Sequence, residues 1–562
     1  MSIAHRCSTC FCKDISNFPY SYRDLAEEKN AKMPKIPRMP RMPRMLEICL
    51  KIILSCSQGQ GLPLGTSPVL AIVTFLVSSF FIKRRCARLR NIPGPALSKV
   101  TSLHLGLQDL SYNRNDAIFD WHRKHGPIVC IAPNEVSVAT LEATKVIYGT
   151  RHRWAKSDYF DLFKGFNVRS VFATKSYEAH RTKRKLISAF YQASNIYTMP
   201  HIEAHIQERC RNFLKQVENG EAVDVYALTD RFGFDIITYL AFGPDHGSTS
   251  IELDCQERNI LLELKQLQFF NLLRVRFPVL LGFAPVLLGR LSSKFSYLSA
   301  EDKLASWSQA RISTAMKDSG TAKAHCLLQV LRESHTTENG IKIPLDQRYI
   351  AAEILDNINA AEATTAVTAT YLIWRLAQNP LWQFKIRQEL AALPIQDDGS
   401  ISFADVDAGA PSLEACLREV YRLHPASSGR SERVVPRGGY ELSGFYLPGG
   451  TVVSTSVVAL HRDESVFPDA DSFLPERWLD VDKKALGNCE AQLIPFGYGA
   501  RICLGKALAT MEIKLLVAHL YLKYRTEPTE MTSEASMRQC STHDAVPHGI
   551  SCLIRCHAVA QD

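Results

Sequence analysis

Apolar residues along this chain fall into three kinds of run. The first is unbroken: no residue from Ile52 to Ile82 is charged, and Pro68–Ile82 reads PVLAIVTFLVSSFFI ahead of Lys83, Arg84, Arg85, Arg88 and Arg90. A span needs roughly 20 apolar residues, so one membrane helix is predicted over about 62–82, a buried core helix being the alternative. The second kind recurs at helical spacing over 350–377 and 504–524, and predicts long helices. The third is short and strand-like, as in Gly449–Ser456. A further apolar stretch, Phe269–Leu291, is broken by Arg274, Arg276, Pro278 and Pro285, and reads as an interfacial patch or as core. These runs predict a mainly α (α+β) protein: a helix-rich body with small β-sheets and an N-terminal transmembrane helix.

Charge and punctuation divide the chain further. Residues 1–44 hold the near-repeat PRMPRMPRM with little apolar periodicity, which predicts a disordered extension. Residues 45–91 would form the anchor and a basic linker, and 92–562 a catalytic domain that opens on the stiff turn Ile92-Pro93-Gly94-Pro95. Basic residues flank both ends of the apolar run, so they barely decide its orientation. Translation from Met45 would leave few charges ahead of the helix and place the body in the cytosol. The net charge of +9 is spread along the chain without a basic block, which excludes a nucleic-acid partner. The 16 cysteines are scattered and no Asn-x-Ser/Thr sequon occurs, as suits a reducing compartment. Cys7, Cys10 and Cys12 lie close together but lack a second ligand pair for zinc.

Candidate chemistry concentrates in Phe496-Gly497-Tyr498-Gly499-Ala500-Arg501-Ile502-Cys503-Leu504-Gly505, followed by a helical pattern. A thiolate bound to iron needs backbone N–H groups aimed at sulfur, and Gly497, Gly499 and Gly505 allow the tight fold that aims them. The helix that follows would set its positive end near Cys503, favouring ionised sulfur. Arg501 suits a haem propionate, because a guanidinium binds a carboxylate bidentately. The bland alternative for Cys503 is a small buried hydrophobe.

This decapeptide resembles the haem-binding signature of the cytochrome P-450 superfamily. Two further segments agree in order and spacing. Glu419 and Arg422, in EACLREVYRLHP, match the family's Glu-x-x-Arg pair, and Phe473, Pro475, Glu476, Arg477 and Trp478 match its Phe-x-Pro-Glu-Arg-Trp segment. Read alone, an i,i+3 ion pair is usually a surface contact. The resemblance instead implies a structural role for Glu419, Arg422 and Arg477. Residues 350–379 resemble the helix that crosses the distal haem face, where Ala/Gly-Gly-x-acid-Thr-Thr is expected. Here Ala360-Ala361-Glu362-Ala363-Thr364-Thr365 departs at Ala361 and Ala363 and keeps Thr364 and Thr365 as catalytic candidates. Glu362 lies about 200° around the helix from Thr364 and cannot replace the missing acid. Thr364 could instead serve only to bond a helix carbonyl. His180 and Arg184 have the spacing of a Trp-x-x-x-Arg pair with histidine for tryptophan, and Arg433 matches a propionate-binding arginine. Each is also open to a reading as a solvated basic residue.

The resemblance covers Ile92 to the C-terminus. It implies haem b bound through Cys503, and insertion of one oxygen atom from O2 into a small apolar organic substrate, with NADPH–cytochrome P-450 reductase as electron donor. It also implies a single-pass protein of the endoplasmic reticulum with its catalytic domain in the cytosol, and a step in fungal secondary metabolism. The rivals are a haem-thiolate isomerase or dehydratase that uses no O2, suggested by Ala363, and a non-catalytic haem-binding protein.

Overall fold

The computed structural model describes residues 77–81, 87–276, 293–318, 325–338, 341–479 and 482–559. By its internal contacts the chain divides into two units, Met1–Ser79 and Phe80–Asp562. The expected extension, the Cys7–Cys12 group and most of the expected membrane helix lie outside the described residues, as does most of Phe269–Leu291. Among the described residues no helix is long and apolar enough to cross a membrane.

The helices that position the site are α1 (Tyr177–Ile187), α2 (Pro200–Lys215), α3 (Val225–Phe242), α4 (Gln256–Arg276), α5 (Gln347–Ala377), α6 (Pro380–Ala391), α7 (Pro411–Leu423) and α8 (Lys506–Lys523). The longest, α5, starts where the Asp346 carboxylate accepts from Arg348 N at 2.7 Å, and stops ahead of Pro380, which cannot continue a helix. Its alanine-rich middle lets it lie against α3. A Cβ added to Gly233 of α3 would come 3.3 Å from the Glu362 carbonyl oxygen, so glycine permits that approach. Helix α8 is buried around most of its circumference and shares the main apolar core with α5 and α7. Pro411 opens α7 at a position where the missing N–H costs nothing.

The strands form small sheets. The largest joins β1 (Ile128–Ala132), β2 (Glu135–Val138), β3 (Ala155–Lys156), β5 (Arg433–Val434) and β6 (Val452–Thr455) in the order β1-β2-β6-β5-β3. Strand β6 runs parallel to β2 and antiparallel to β5, and the β3–β5 register sets Lys156 opposite Arg433. A second sheet joins β4 (Ala222–Asp224), β7 (Tyr524–Pro528) and β8 (Leu553–Ala558) in the order β7-β8-β4. The helix-rich body with small sheets is as expected. The expected 350–377 and 504–524 helices and the 449–456 strand coincide with α5, α8 and β6.

Candidate functional site

The loop before α8 is built by its glycines. Gly497 and Gly499 adopt φ of 76° and 72°, the left-handed region that a side chain disfavours. A Cβ on Gly499 would fall 2.2 Å from the Tyr148 carbonyl oxygen, so the loop packs against neighbouring backbone only because nothing projects there. Cys503 N donates to Phe496 O at 2.9 Å, which closes the loop on itself. The backbone N–H groups of Gly505 and Lys506 turn toward the Cys503 sulfur and, with Arg184 and Lys506, favour its thiolate; burial outweighs them and pushes the thiol up. Yet Cys503 is the only exposed cysteine among the described residues. The sulfur is thus accessible while crowded by surrounding protein.

Basic groups gather near this cysteine from several elements. Arg184 of α1 donates to Ile502 O at 2.7 Å. Arg501 spends its terminal nitrogens on the carbonyls of Thr174, Lys175 and Ser176, at 2.7, 2.8 and 3.0 Å. Its expected fork toward a carboxylate is therefore partly used in holding that turn. Arg433 bonds the carbonyls of Ser431 and Glu432, and lies 4.8 Å from the Tyr148 ring. Lys156, which sequence reading missed, donates to Phe172 O at 2.5 Å and sits 3.9 Å from the Phe160 ring. Burial and mutual repulsion push Arg501 down to about 9, His180 down to about 3, and Lys156 well below its ordinary value. Arg184 and Arg433 are lowered by burial too. His180 itself is buried, which excludes its reading as a solvated residue.

That cluster tests the fit of a cofactor. Among the described residues, none of Lys156, Arg184, Arg433 or Arg501 has a carboxylate within 4.0 Å. Lys156 and Arg433 are buried and Arg184 and Arg501 half-buried, and basic groups so withdrawn from water without counter-ions call for an anion from elsewhere. A group carrying two carboxylates and a thiolate-binding metal matches this donor set, and haem is such a group.

Helix α5 is largely buried from Tyr349 onward, yet Asn359 and Ala360 are exposed in its middle. The Thr364 hydroxyl donates to Ala360 O at 2.7 Å, one turn back. Thr365 is buried, and its hydroxyl meets Glu512 of α8, whose carboxyl burial pushes up to about 8. Glu512 was not singled out from sequence, where the available signal was an acid inside the apolar helical pattern that follows Cys503. Glu362 turns away: it is buried beside Asp230 of α3, which pairs with Lys265 of α4 at 2.9 Å. Ala363 leaves the acid position empty of any carboxyl.

The Glu-x-x-Arg pair departs from its stand-alone surface reading. Glu419 and Arg422 are both 0% exposed, joined by bonds of 2.6 and 2.9 Å. Arg422 also donates to the carbonyls of His461, Ala470 and Ser472. Glu419 further accepts from Arg477 Nε at 3.1 Å, Trp478 Nε1 at 2.9 Å and Leu474 N at 3.0 Å. Five donors thus satisfy one buried carboxylate.

Comparison with known proteins agrees with this arrangement. The sequence model of the cytochrome P450 family matches residues 93–544. The chain is 37% identical to cytochrome P450 monooxygenase FGM1 of Gibberella zeae over 514 residues, 90% of this chain and 99% of that one. It is 28% identical to cytochrome P450 monooxygenase cicH of Emericella nidulans, over 82% of this chain and 92% of that one. The same identity, over 84% and 93%, relates it to cytochrome P450 monooxygenase pkfB of that organism. The chain belongs to the cytochrome P450 family, as a haem-iron monooxygenase of the fungal type.

Proposed function

We propose that Cys503 would hold haem b through its thiolate in a membrane-anchored monooxygenase that adds one oxygen atom from O2 to a small organic molecule of fungal secondary metabolism. An accessible thiol beside buried and half-buried basic groups that lack carboxylate partners among the described residues carries this reading. Haem held there would supply the activation of O2, with the Cys503 thiolate as electron-rich ligand. The chain's own part is to hold, orient and deliver protons. Gly505 and Lys506 N–H groups steady the sulfur charge. Arg184, Arg433 and Lys156, with what remains of the Arg501 fork and His180, would hold the two propionates. Phe496 and Gly497 shape the loop. Thr364 offers a hydroxyl on α5 and Thr365 a buried one behind it. With alanine at 363, protons would reach Thr364 through water rather than from an adjacent carboxyl.

Electrons would come from NADPH–cytochrome P-450 reductase, since the chain holds no nucleotide-binding fingerprint of its own. The apolar run at 62–82 would anchor the chain in the endoplasmic reticulum with its body in the cytosol. Turnover of metabolite extracts with reductase, NADPH and isotopically labelled O2 tests the reading. Label in the product is expected. Product without label would favour the O2-independent isomerase or dehydratase.

A further inference from the structure

Helix α5 carries three acids, Glu353, Asp356 and Glu362, and they have different surroundings. Glu353 is buried and satisfied: it accepts from Val171 N at 2.8 Å and from Asn357 Nδ2 at 3.2 Å, which ties the 165–173 segment to the helix. Gly165 of that segment approaches so closely that a Cβ on it would lie 3.2 Å from Ala352 Cα. Glu362 is buried on the far side, beside Asp230. Asp356 alone is half-buried. It forms no ion pair within 4.0 Å among the described residues, and the Ser170 hydroxyl is the polar group beside it.

Helical geometry places Asp356, Ala360 and Thr364 within an arc of about 80°, so the three share the face on which Ala360 is exposed. Eight residues at 1.5 Å each put Asp356 roughly 12 Å along the axis from Thr364. We propose that Asp356 is the polar anchor of the substrate site: it binds a hydroxyl group of a mainly apolar substrate and so sets the oxidised carbon roughly 12 Å from that hydroxyl. This rests on the haem-thiolate reading above and narrows its substrate class.

Ser170, Glu353, Lys156, Tyr191 and Tyr349 surround Asp356. Burial and the Glu353 charge push its carboxyl up to about 7, against Ser170 and Lys156. A carboxyl that is partly protonated can both donate and accept, as a hydroxyl does, and so suits a substrate hydroxyl.

The test uses the full-length holoenzyme and three probes: phenylhexanol, its methyl ether and phenylhexylamine. Equilibrium dialysis should show the alcohol bound about tenfold tighter than the ether, the worth of one hydrogen bond to a carboxyl. Asp356→Ala should erase that difference while the ether's Kd stays within about twofold, and Asp356→Asn, which keeps an acceptor, should retain part of it. Oxidation should fall mainly at the phenyl end in the native enzyme and spread along the chain in Asp356→Ala. Equal affinity for alcohol and ether, tightest binding of the amine, a preference that survives Asp356→Ala, or no binding of any probe overturns the proposal. The reduced carbon-monoxide difference spectrum separates the two readings. Its absence from the native protein defeats the thiolate assignment, whereas an intact spectrum without alcohol preference defeats only the anchor.

Discussion

Lys156 shows most clearly how the site's charges trade against one another. It is buried among other cations, and its ammonium is pushed toward the neutral form. Lys156→Met should therefore have opposite effects on two measurements. The urea midpoint of the cofactor-free protein should rise, by about 1–3 kcal/mol in stability, because an amine that burial and neighbouring cations hold away from its favoured charged form leaves the interior. Haem loss to a scavenger globin should accelerate, because one propionate partner is gone. A change of both in the same direction would mean that the cation serves packing alone. Cys503→Ser should abolish the reduced carbon-monoxide band of the thiolate, with Arg184 and Arg433 left in place. For Thr364→Ala the quantity to follow is product formed per NADPH consumed. A severalfold drop is expected if the hydroxyl handles a proton, and unchanged coupling would reduce Thr364 to its bond with Ala360 O.

Between elements, two buried polar contacts tie neighbouring segments together. Arg422 joins α7 to the 461–472 segment through three carbonyls while neutralising Glu419. Arg422→Ala would strand a buried carboxylate and should cost about 3–5 kcal/mol, enough that little folded holoprotein accumulates. Glu512 of α8 meets Thr365 of α5, and its pKa rises from the ordinary 4.5 to about 8. A carboxyl raised on folding contributes stability that is complete below about 4.5 and is lost as pH climbs through about 8. Glu512→Gln removes that dependence, so the variant should gain on the native protein as pH rises from 5 to 8, by roughly 3 kcal/mol at pH 7. Urea midpoints across that range would show it, and a constant gap would mean that Glu512 ionises freely. The contrast explains what the sequence could reveal. The Cys503 loop and helices α5 and α8 were legible because their signals are local, set by glycines and by apolar spacing. Lys156 was not, since only the β3–β5 register brings it to Arg433. The burial of Glu419 was equally hidden, because an i,i+3 pair looks the same on a surface as in a core.

At the scale of the whole molecule, the proposed membrane attachment raises the question of which segments would hold the body there. Part of the answer is expected from the apolar run at 62–82, and part from the start of the body itself. On the helix Leu103–Leu110, the side chains of Leu103, Leu107 and Leu110 are 63%, 52% and 42% exposed, and their i, i+4, i+7 spacing puts them on one face. Fully burying a leucine is worth about 1.5–3 kcal/mol, so three partly exposed ones would give reversible attachment without a spanning helix. Removing residues 1–82 should therefore leave the reduced carbon-monoxide spectrum intact, since Cys503 and its cations all lie within the body. It should not by itself release the protein. A sizeable fraction should still sediment with liposomes of neutral lipid, and the triple change of Leu103, Leu107 and Leu110 to Ser should move that fraction to the supernatant. Neutral lipid matters here, because with a net charge of +9 the chain would bind anionic vesicles for an unrelated reason. Complete release by the truncation alone would assign all of the attachment to the N-terminal run and none to this helix.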